Sequence, residues 1–328
     1  MKTVLISGVI GFIGLNLSKF LLNKGYKIIG VDNFFSSSKR NLEIFNSYKN
    51  FIFYKWDVRN YPKFLENYDI NIIINLACPA SPKWYMKNPF FTLETSFIGT
   101  KNLLDLAKKK NSLFIQGSTS EVYGDPEIHP QNEEYRGNVN TLGPRACYDE
   151  GKRIAETLCY EYWKNYGTDV RIMRIFNTYG PYMDIEDGRV ISNFITQALK
   201  GEDITIYGDG SQTRSFQYID DLINAIYKYI AISKEELTEK LKTKFNWNTV
   251  PTLNLGNPEE YKILDLAKII LKLTRSKSEI IFREKFQDDP KQRKPDIAKA
   301  KYILNWEPKV KLIEGLQKTI SYFKEVLF

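Results

Sequence analysis

Two hydrophobic periods alternate along the first half of the chain. Residues 3–7 (Thr-Val-Leu-Ile-Ser), 27–31, 51–56, 72–76, 113–117 and 170–175 are short apolar runs, the length and composition of strands buried on both faces. Between them, residues 12–24, about 90–110 and 146–166 carry apolar positions at helical spacing, and Gly25 stands where a helix C-cap is wanted. Strands alternating with helices predict βαβ units, hence an α/β fold with a Rossmann-type doubly wound parallel sheet. After about residue 176 the regularity weakens. Gly and Pro punctuate 180–188 and 207–210, and residues 233–247, rich in Lys and Glu, read as a solvated helical excursion. One further strand is expected at Thr252–Leu255. The pattern predicts a first domain over 1–175, joined by a returning strand near 252–256. A smaller, loop-rich and interleaved C-terminal domain fills most of 176–328.

Composition narrows the picture only modestly. At 328 residues the chain exceeds a single domain of ~100–200 residues. Cys78, Cys147 and Cys159 lack metal-ligand spacing, so reduced, small side chains and no metal site are expected. The N-terminus runs straight into a strand, and no window resembles a signal peptide or a membrane span. A cytoplasmic protein that engages no membrane is expected. Forty-seven basic against 39 acidic residues give +8, and residues 271–301 alone hold ten Lys/Arg against five Asp/Glu. No nucleic-acid motif accompanies that excess. It reads as a solvated basic face, or as contacts to the phosphates of a small ligand. One histidine, His129, leaves no material for a histidine-based metal site or triad.

The chemistry-bearing residues sit at strand ends. Gly8, Gly11 and Gly14 form G-x-x-G-x-x-G between the first strand and helix, where the backbone must turn tightly and approach a pyrophosphate. Asp32, closing the second strand, is placed to bind an adenosine ribose and to repel a 2′-phosphate, which favours NAD over NADP; Lys39 and Arg40 nearby argue the other way. Asp57 is a partner for the adenine amine or a simple turn residue. Ser118-Thr119-Ser120-Glu121 follows the fifth strand, at a carboxyl end facing the ligand crevice; an ST-turn fits equally well. Tyr148 and Lys152, four apart on a helix, share one face. The ammonium should favour the phenolate and lower the phenol from its ordinary pKa near ~10, giving a proton acceptor. A glycine turn, a Ser/Thr turn and Tyr-x-x-x-Lys in this order are what a short-chain dehydrogenase/reductase site needs.

Longer runs carry a closer likeness. Val31-Asp32-Asn33-Phe34-Phe35, Pro79-Ala80-Ser81-Pro82, the run from Ser118 to Pro126 and the run from Gly143 to Arg153 resemble the UDP-glucuronic acid decarboxylase (UDP-xylose synthase) family. So do Arg174–Pro181, Asp187–Phe194, Gly210–Arg214 and Gln287–Asp296. The resemblance spans essentially the whole chain. It implies an extended short-chain dehydrogenase/reductase that holds NAD tightly and recycles it: C4 oxidation, loss of CO₂ from the β-keto acid, then re-reduction. The implied catalytic set is Thr119, Glu121, Tyr148, Lys152 and Arg293. Implied cofactor contacts are Gly8, Gly11, Phe12, Ile13, Asp32, Asn33, Phe34, Ser36, Asp57 and Val58. Leu76, Ala77, Cys78, Thr95 and Thr178 complete them, with Tyr148 and Lys152. The UDP-sugar falls to Pro79, Ser81, Asn177, Arg189, Asn193, Tyr207, Gln212, Arg214 and Arg293. The first domain thus becomes the NAD-binding one and the second the UDP-sugar-binding one. The helices near 90–110 and 146–166 resemble the pair that builds a four-helix bundle across the family's homodimer.

The chain departs from the family's pattern at Val9, where a second glycine is usual, and at Cys78, Glu94 and Tyr182; the 233–250 segment is longer than usual. Glu94 puts a carboxylate where a cation would face ligand. A 4,6-dehydratase, a 4-epimerase or an enzyme that releases the 4-keto pentose shares much of this machinery. Ser120 in place of an acid disfavours the first, and the Glu121–Arg293 pair is unexplained in the second. An NAD-sensing scaffold without activity leaves the Thr119, Tyr148, Lys152 set without a purpose.

Overall fold

The computed structural model describes residues 1–285 and 290–328, so Gln287, Asp288 and Asp289 of the last motif lie outside the described residues. The first half runs β1 (Thr3–Ser7), α1 (Phe12–Asn23), β2 (Lys27–Asp32), β3 (Phe51–Lys55) and β4 (Ile72–Asn75). It continues with α2 (Pro82–Tyr85), α3 (Pro89–Glu94), a π-helical turn at Thr95–Gly99, α4 (Thr100–Lys110), β5 (Leu113–Thr119), α5 (Ala146–Tyr166) and β6 (Val170–Ile175). Each strand expected from the apolar runs is present.

Why these runs are mostly apolar is visible in their alternation. Val4, Ile6, Ile28, Ile72, Ile74 and Ile115 face one side, packed with Leu15, Leu17 and Leu21 of α1. Leu5, Ile29, Ile73 and Phe114 face the other, packed with Leu103, Leu104 and Ala107 of α4 and Cys159 and Tyr162 of α5. Helices on both faces bury nearly every strand position, and polar residues that fall there pair with each other, as Asn75 of β4 donates to Gln116 of β5 at 3.0 Å.

The second half corrects the expectation of a loop-rich lobe. It contains β7 (Thr178–Tyr179), α6 (Val190–Lys200), β8 (Ile204–Tyr207), β9 (Thr213–Ser215), β10 (Gln217–Tyr218), α7 (Ile219–Ala231) and α8 (Lys234–Phe245). Then follow β11 (Thr252–Leu255), β12 (Glu260–Lys262), α9 (Ile263–Thr274), β13 (Ile280–Arg283), β14 (Gln292–Arg293), α10 (Ala298–Leu304) and α11 (Leu312–Leu327). The helices form because each buries one face: α7 buries Leu222, Ile223, Ile226 and Ile230 in the first cluster. Nor is α8 merely solvated, since Leu237 and Leu241 lie in the same core.

The main sheet has the order β11-β6-β5-β4-β1-β2-β3, parallel throughout. Strand order reverses between β1 and β4, and the crevice beyond their carboxyl ends is where such sheets bind ligands. A smaller sheet, β12-β9-β14, sets Arg293 directly beside Arg214. Among the described residues no helix is long and apolar enough to cross a membrane.

Val9 is explained by its neighbour. Its backbone is not among the positive-φ residues, and a Cβ on Gly30 of β2 would lie 2.7 Å from both Val9 methyl carbons. The side chain that replaces a turn glycine therefore fills space that a strand glycine leaves. Gly30→Ala should cost about 1–3 kcal/mol by overpacking. In a Val9→Gly background the same change should cost under about 0.5 kcal/mol. Urea denaturation of the four proteins measures the coupling; equal costs in both backgrounds would refute it.

Candidate active site

The turn after β1 is shaped for close backbone approach. Gly8 has φ +68, and a Cβ there would sit 2.9 Å from the Leu76 carbonyl oxygen across the switch point. Gly11 opens α1 with no side-chain cap, leaving the first helical N–H groups for an anion. Gly14 lets the helix lie against that turn, since a Cβ would fall 2.1 Å from the Gly8 carbonyl oxygen. Asp32 Oδ1 accepts from the Phe34 N–H (2.9 Å) and the Ser37 hydroxyl (2.8 Å), and Phe34 takes φ +64 in the turn so held. Burial pushes the Asp32 carboxyl up, partly opposed by these donors.

At the other end of the cleft, α5 is fixed to β5. Lys152 Nζ donates to the Gly117 carbonyl at 2.8 Å. One turn on, Glu156 accepts from the Ser118 hydroxyl at 2.6 Å and pairs with Arg174 at 2.7 Å. Tyr148 stacks on Tyr85, with ring centroids 5.0 Å apart and planes 7° from parallel. The expected lowering of the Tyr148 pKa is not found. Burial, with Cys78 and Glu121 beside it, pushes the phenol well above its ordinary value, against the pull of Thr119 and Arg189. The Lys152 ammonium is directed at a carbonyl, 5.8 Å from the phenol ring centroid.

Between these ends lies a clamped carboxylate. Glu121 receives Arg145 at 2.5 Å and Arg293 at 2.8 Å. Arg293, only 1% exposed, also donates to the Ser120 hydroxyl (3.1 Å) and the Gly124 carbonyl (2.7 Å). Burial opposes the charge on Glu121, yet Arg293, Arg145 and Arg214 bring its pKa down to about 2. The basic segment is thus no uniform solvated face: Arg293 is buried in the cleft, and Lys299 is buried against Glu133 at 3.4 Å.

A cleft of about 1090 Å³ joins the pieces. It is lined by Gly8, Gly11, Phe12, Ile13, Ser36, Leu76, Cys78 and Thr178, by Thr119, Glu121, Tyr148 and Lys152, and by Ser81, Asn177, Arg189, Asn193, Tyr207, Gln212, Arg214 and Arg293. An adjoining recess of about 80 Å³ adds Asp32, Asn33, Val58, Ala77, Pro79 and Thr95. Phe34 and Asp57 line neither. Phe34 packs on Phe53. Partial burial opposes the Asp57 charge, but Arg59 and Asn33 hydrogen bonds hold its carboxyl below the usual range. Glu94 does not face the cleft; it pairs with Arg59 at 2.6 Å, whose guanidinium lies 4.4 Å from the Phe91 ring centroid. Ser81 Oγ and Thr95 Oγ1 are buried without hydrogen-bond partners among the described residues, in cavities where a polar ligand would satisfy them.

Three contributors escaped sequence reasoning. Tyr85 has no local signal, because its ring meets Tyr148 only through tertiary packing. Arg145 and Asp149 lie inside a quoted motif, but nothing in their spacing shows that Arg145 reaches Glu121 or that Asp149 is buried.

The GDP-mannose 4,6 dehydratase family model matches residues 5–319. A UDP-glucuronic acid decarboxylase 1 of Danio rerio is 51% identical over 326 residues, 99% of this chain and 73% of that protein. UDP-glucuronic acid decarboxylase 3 of Arabidopsis thaliana is 47% identical over 314 residues, 95% of this chain and 86% of its own length. Among solved structures, UDP-glucuronic acid 4-epimerase from Bacillus cereus, in complex with UDP-glucuronic acid and NAD, superposes with a TM-score of 0.85 at 29% identity, covering 99% of each chain.

The arginine clamp predicts an acid-dependent stability. The Glu121 pKa lies below its ordinary value of 4.5, so the stability it contributes is present above that pH and lost as pH falls toward about 2. Glu121→Gln, which leaves two guanidiniums without their anion, should destabilise by on the order of 3 kcal/mol at neutral pH. The gap to wild type should narrow as the medium is acidified below about pH 4.5. Urea unfolding across a pH series tests this; a gap independent of pH would contradict it.

Proposed function

The chain belongs to the GDP-mannose 4,6 dehydratase family of extended short-chain dehydrogenase/reductases and, within it, with the UDP-glucuronic acid decarboxylases; from that premise we propose that it converts UDP-glucuronate to UDP-xylose with NAD as a recycled cofactor. The observation that carries this reading is the Glu121–Arg293 pair in the same cleft as Thr119, Tyr148 and Lys152. The glycine turn and the unpartnered Thr95 hydroxyl fit a dinucleotide along the first domain (1–175 with the returning strand). The Asp32 carboxylate disfavours a 2′-phosphate. Most of 176–328 supplies the UDP-sugar side, where Gln212, Arg214 and Asn177 face the cleft; a guanidinium suits a diphosphate because it donates in a planar fork.

When bound, NAD supplies a hydride acceptor and then donor for the sugar C4. Tyr148 accepts the 4-hydroxyl proton, with Thr119 hydrogen-bonding the same oxygen. Because Tyr148 is buried, its proton transfer is insulated from solvent, and its raised pKa makes the cationic surroundings of the loaded site a requirement for ionisation. The resulting ketone lies β to the carboxylate, so the electrons of the C5–C6 bond flow into it as CO₂ leaves. Arg293 holds the sugar end, C5 is protonated, and Tyr148 returns its proton to O4.

We also infer a homodimer. Phe90 is 76% exposed, and Leu93, Phe97 and Ile98 expose apolar surface on the α3–α4 run beside Ile154 of α5. Such a stripe is larger than scattered surface residues require. Phe90→Asp with Phe97→Asp should halve the mass measured by light scattering; an unchanged mass would remove this surface from the interface.

Incubation with UDP-glucuronate and NMR of the products tests the activity. UDP-xylose is expected, whereas the 4-epimer or the 4-keto pentose would assign a neighbouring reaction. Tyr148→Phe should lower turnover by about 10²–10⁴-fold while NAD binding is kept. A near-wild-type rate would exclude Tyr148 as the proton acceptor.

A further inference from the structure

Decarboxylation as proposed above consumes one proton per turnover. A carboxylate enters, and CO₂ and a new C5–H bond result, while the proton Tyr148 takes from the 4-hydroxyl returns to the same oxygen. The clamped groups do not supply the missing proton. Glu121 is held as a carboxylate by Arg145 and Arg293, and guanidiniums do not deprotonate in proteins.

Beside Tyr148, the first turn of α5 carries a carboxyl group without an assigned role. Asp149 is 7% exposed, and its Oδ1 is buried with no hydrogen-bond partner among the described residues. Together with Glu121 and Arg145 it lines a polar chamber of about 390 Å³, which shares Glu121, Arg145 and Pro290 with the main cleft. An unpartnered carboxylate in such a place is costly, and a carboxylic acid is far less so. The charged and titratable groups around it come from several elements. Glu121 follows β5, Arg293 is on β14, Arg145 and Glu150 flank it in the chain, and Tyr85 belongs to α2. Asp125 and Lys285 stand across the chamber. Burial first, then Glu121, push the Asp149 carboxyl up to about 7, with Arg145 and Arg293 opposing.

We propose that Asp149 is the proton reservoir of this site, holding as a carboxylic acid the proton that C5 gains once CO₂ has left, and recharged from solvent through the chamber it shares with Glu121. The inference rests on the decarboxylase reading. As the C5–C6 bond breaks, its electron pair becomes the C4–C5 enolate. That enolate then forms the C5–H bond with the proton released by Asp149, whose O–H pair stays on the carboxylate. Water restores the acid before the next turnover, so one solvent proton enters for each CO₂ that leaves.

The test uses the NAD-loaded enzyme with UDP-glucuronate. Wild-type turnover should fall as pH rises from about 6 to about 8, because the acid form is the one required. Asp149→Asn should bind NAD as wild type and still form NADH and the 4-keto intermediate. Its release of pentose should drop tenfold or more, lose the fall across neutral pH and recover with added imidazolium buffer. Asp149→Glu should restore most of the rate with a displaced pH midpoint. A wild-type rate that does not fall over this range overturns the proposal, whether or not the variants fold. So does an Asp149→Asn enzyme with the wild-type rate and profile, or one equally impaired at every pH with no NADH formed and no buffer rescue. Wild-type enzyme that makes NADH but no CO₂, or no product at all, instead overturns the decarboxylase reading and this inference with it.

Discussion

The site depends on one buried clamp, the contact of α5 with the end of β5. Tyr148, Lys152 and Glu156 are spaced by single turns, so they fall on one face of a 21-residue helix. Lys152 reaches the Gly117 carbonyl, and Glu156 reaches the Ser118 hydroxyl while paired with Arg174 of the adjacent strand β6. Two successive residues of β5 are thereby tied to two successive turns of α5. The register leaves Thr119 and Tyr148 at the mouth of the crevice and nowhere else. Close approach at the other side of the helix is allowed by Gly151, where a Cβ would lie 2.9 Å from the Ser96 hydroxyl oxygen. A shift of α5 by one residue would unmake all of these contacts together, which is why a buried polar network can specify an active-site geometry.

Electrostatics divide the cleft into groups with fixed and with adjustable charge. Glu121 is fixed as an anion because three arginines act on it. Tyr148 and Asp149, next to each other in the chain, are both pushed toward their neutral forms, chiefly by burial. Neutral, proton-bearing groups set beside a permanent ion pair are the arrangement that proton transfers need. In such an arrangement fixed charges can hold a ligand's charge in place while neutral groups gain and lose protons. The same physics explains why +8 was a poor guide to function. Two of the basic residues in the C-terminal segment, Arg293 and Lys299, are turned inward and paired with Glu121 and Glu133.

The limits of sequence reasoning fall at particular residues. The strands were legible because burial on both faces makes them continuous apolar runs, and the glycine turn because only small residues tolerate its contacts. Of the helices of the second half only α8 was legible as a helix, over 233–247, and the burial of their apolar faces was not. Their apolar faces, such as Leu237 and Leu241 of α8, are interrupted by lysines and glutamates that remain outside. Glu94 was read as facing ligand; its position in the chain could not show that Arg59, 35 residues earlier, would capture it. Asp57, an adenine partner or a simple turn residue by sequence, pairs with the same arginine and lines neither cavity.

The sequence by itself determined the parallel sheet, the family, and the residue types gathered for C4 chemistry, because hydrophobic period and contiguous motifs are local properties that survive in one dimension. Only the tertiary structure decided protonation and partnership. A pKa depends on burial and on charges brought close from distant segments, so Tyr148 could be raised where spacing argued for lowering, Glu121 could be fixed by an arginine 172 residues away, and Asp149 could become an unpartnered acid. Those are properties of a three-dimensional field, and no stretch of the chain contains it.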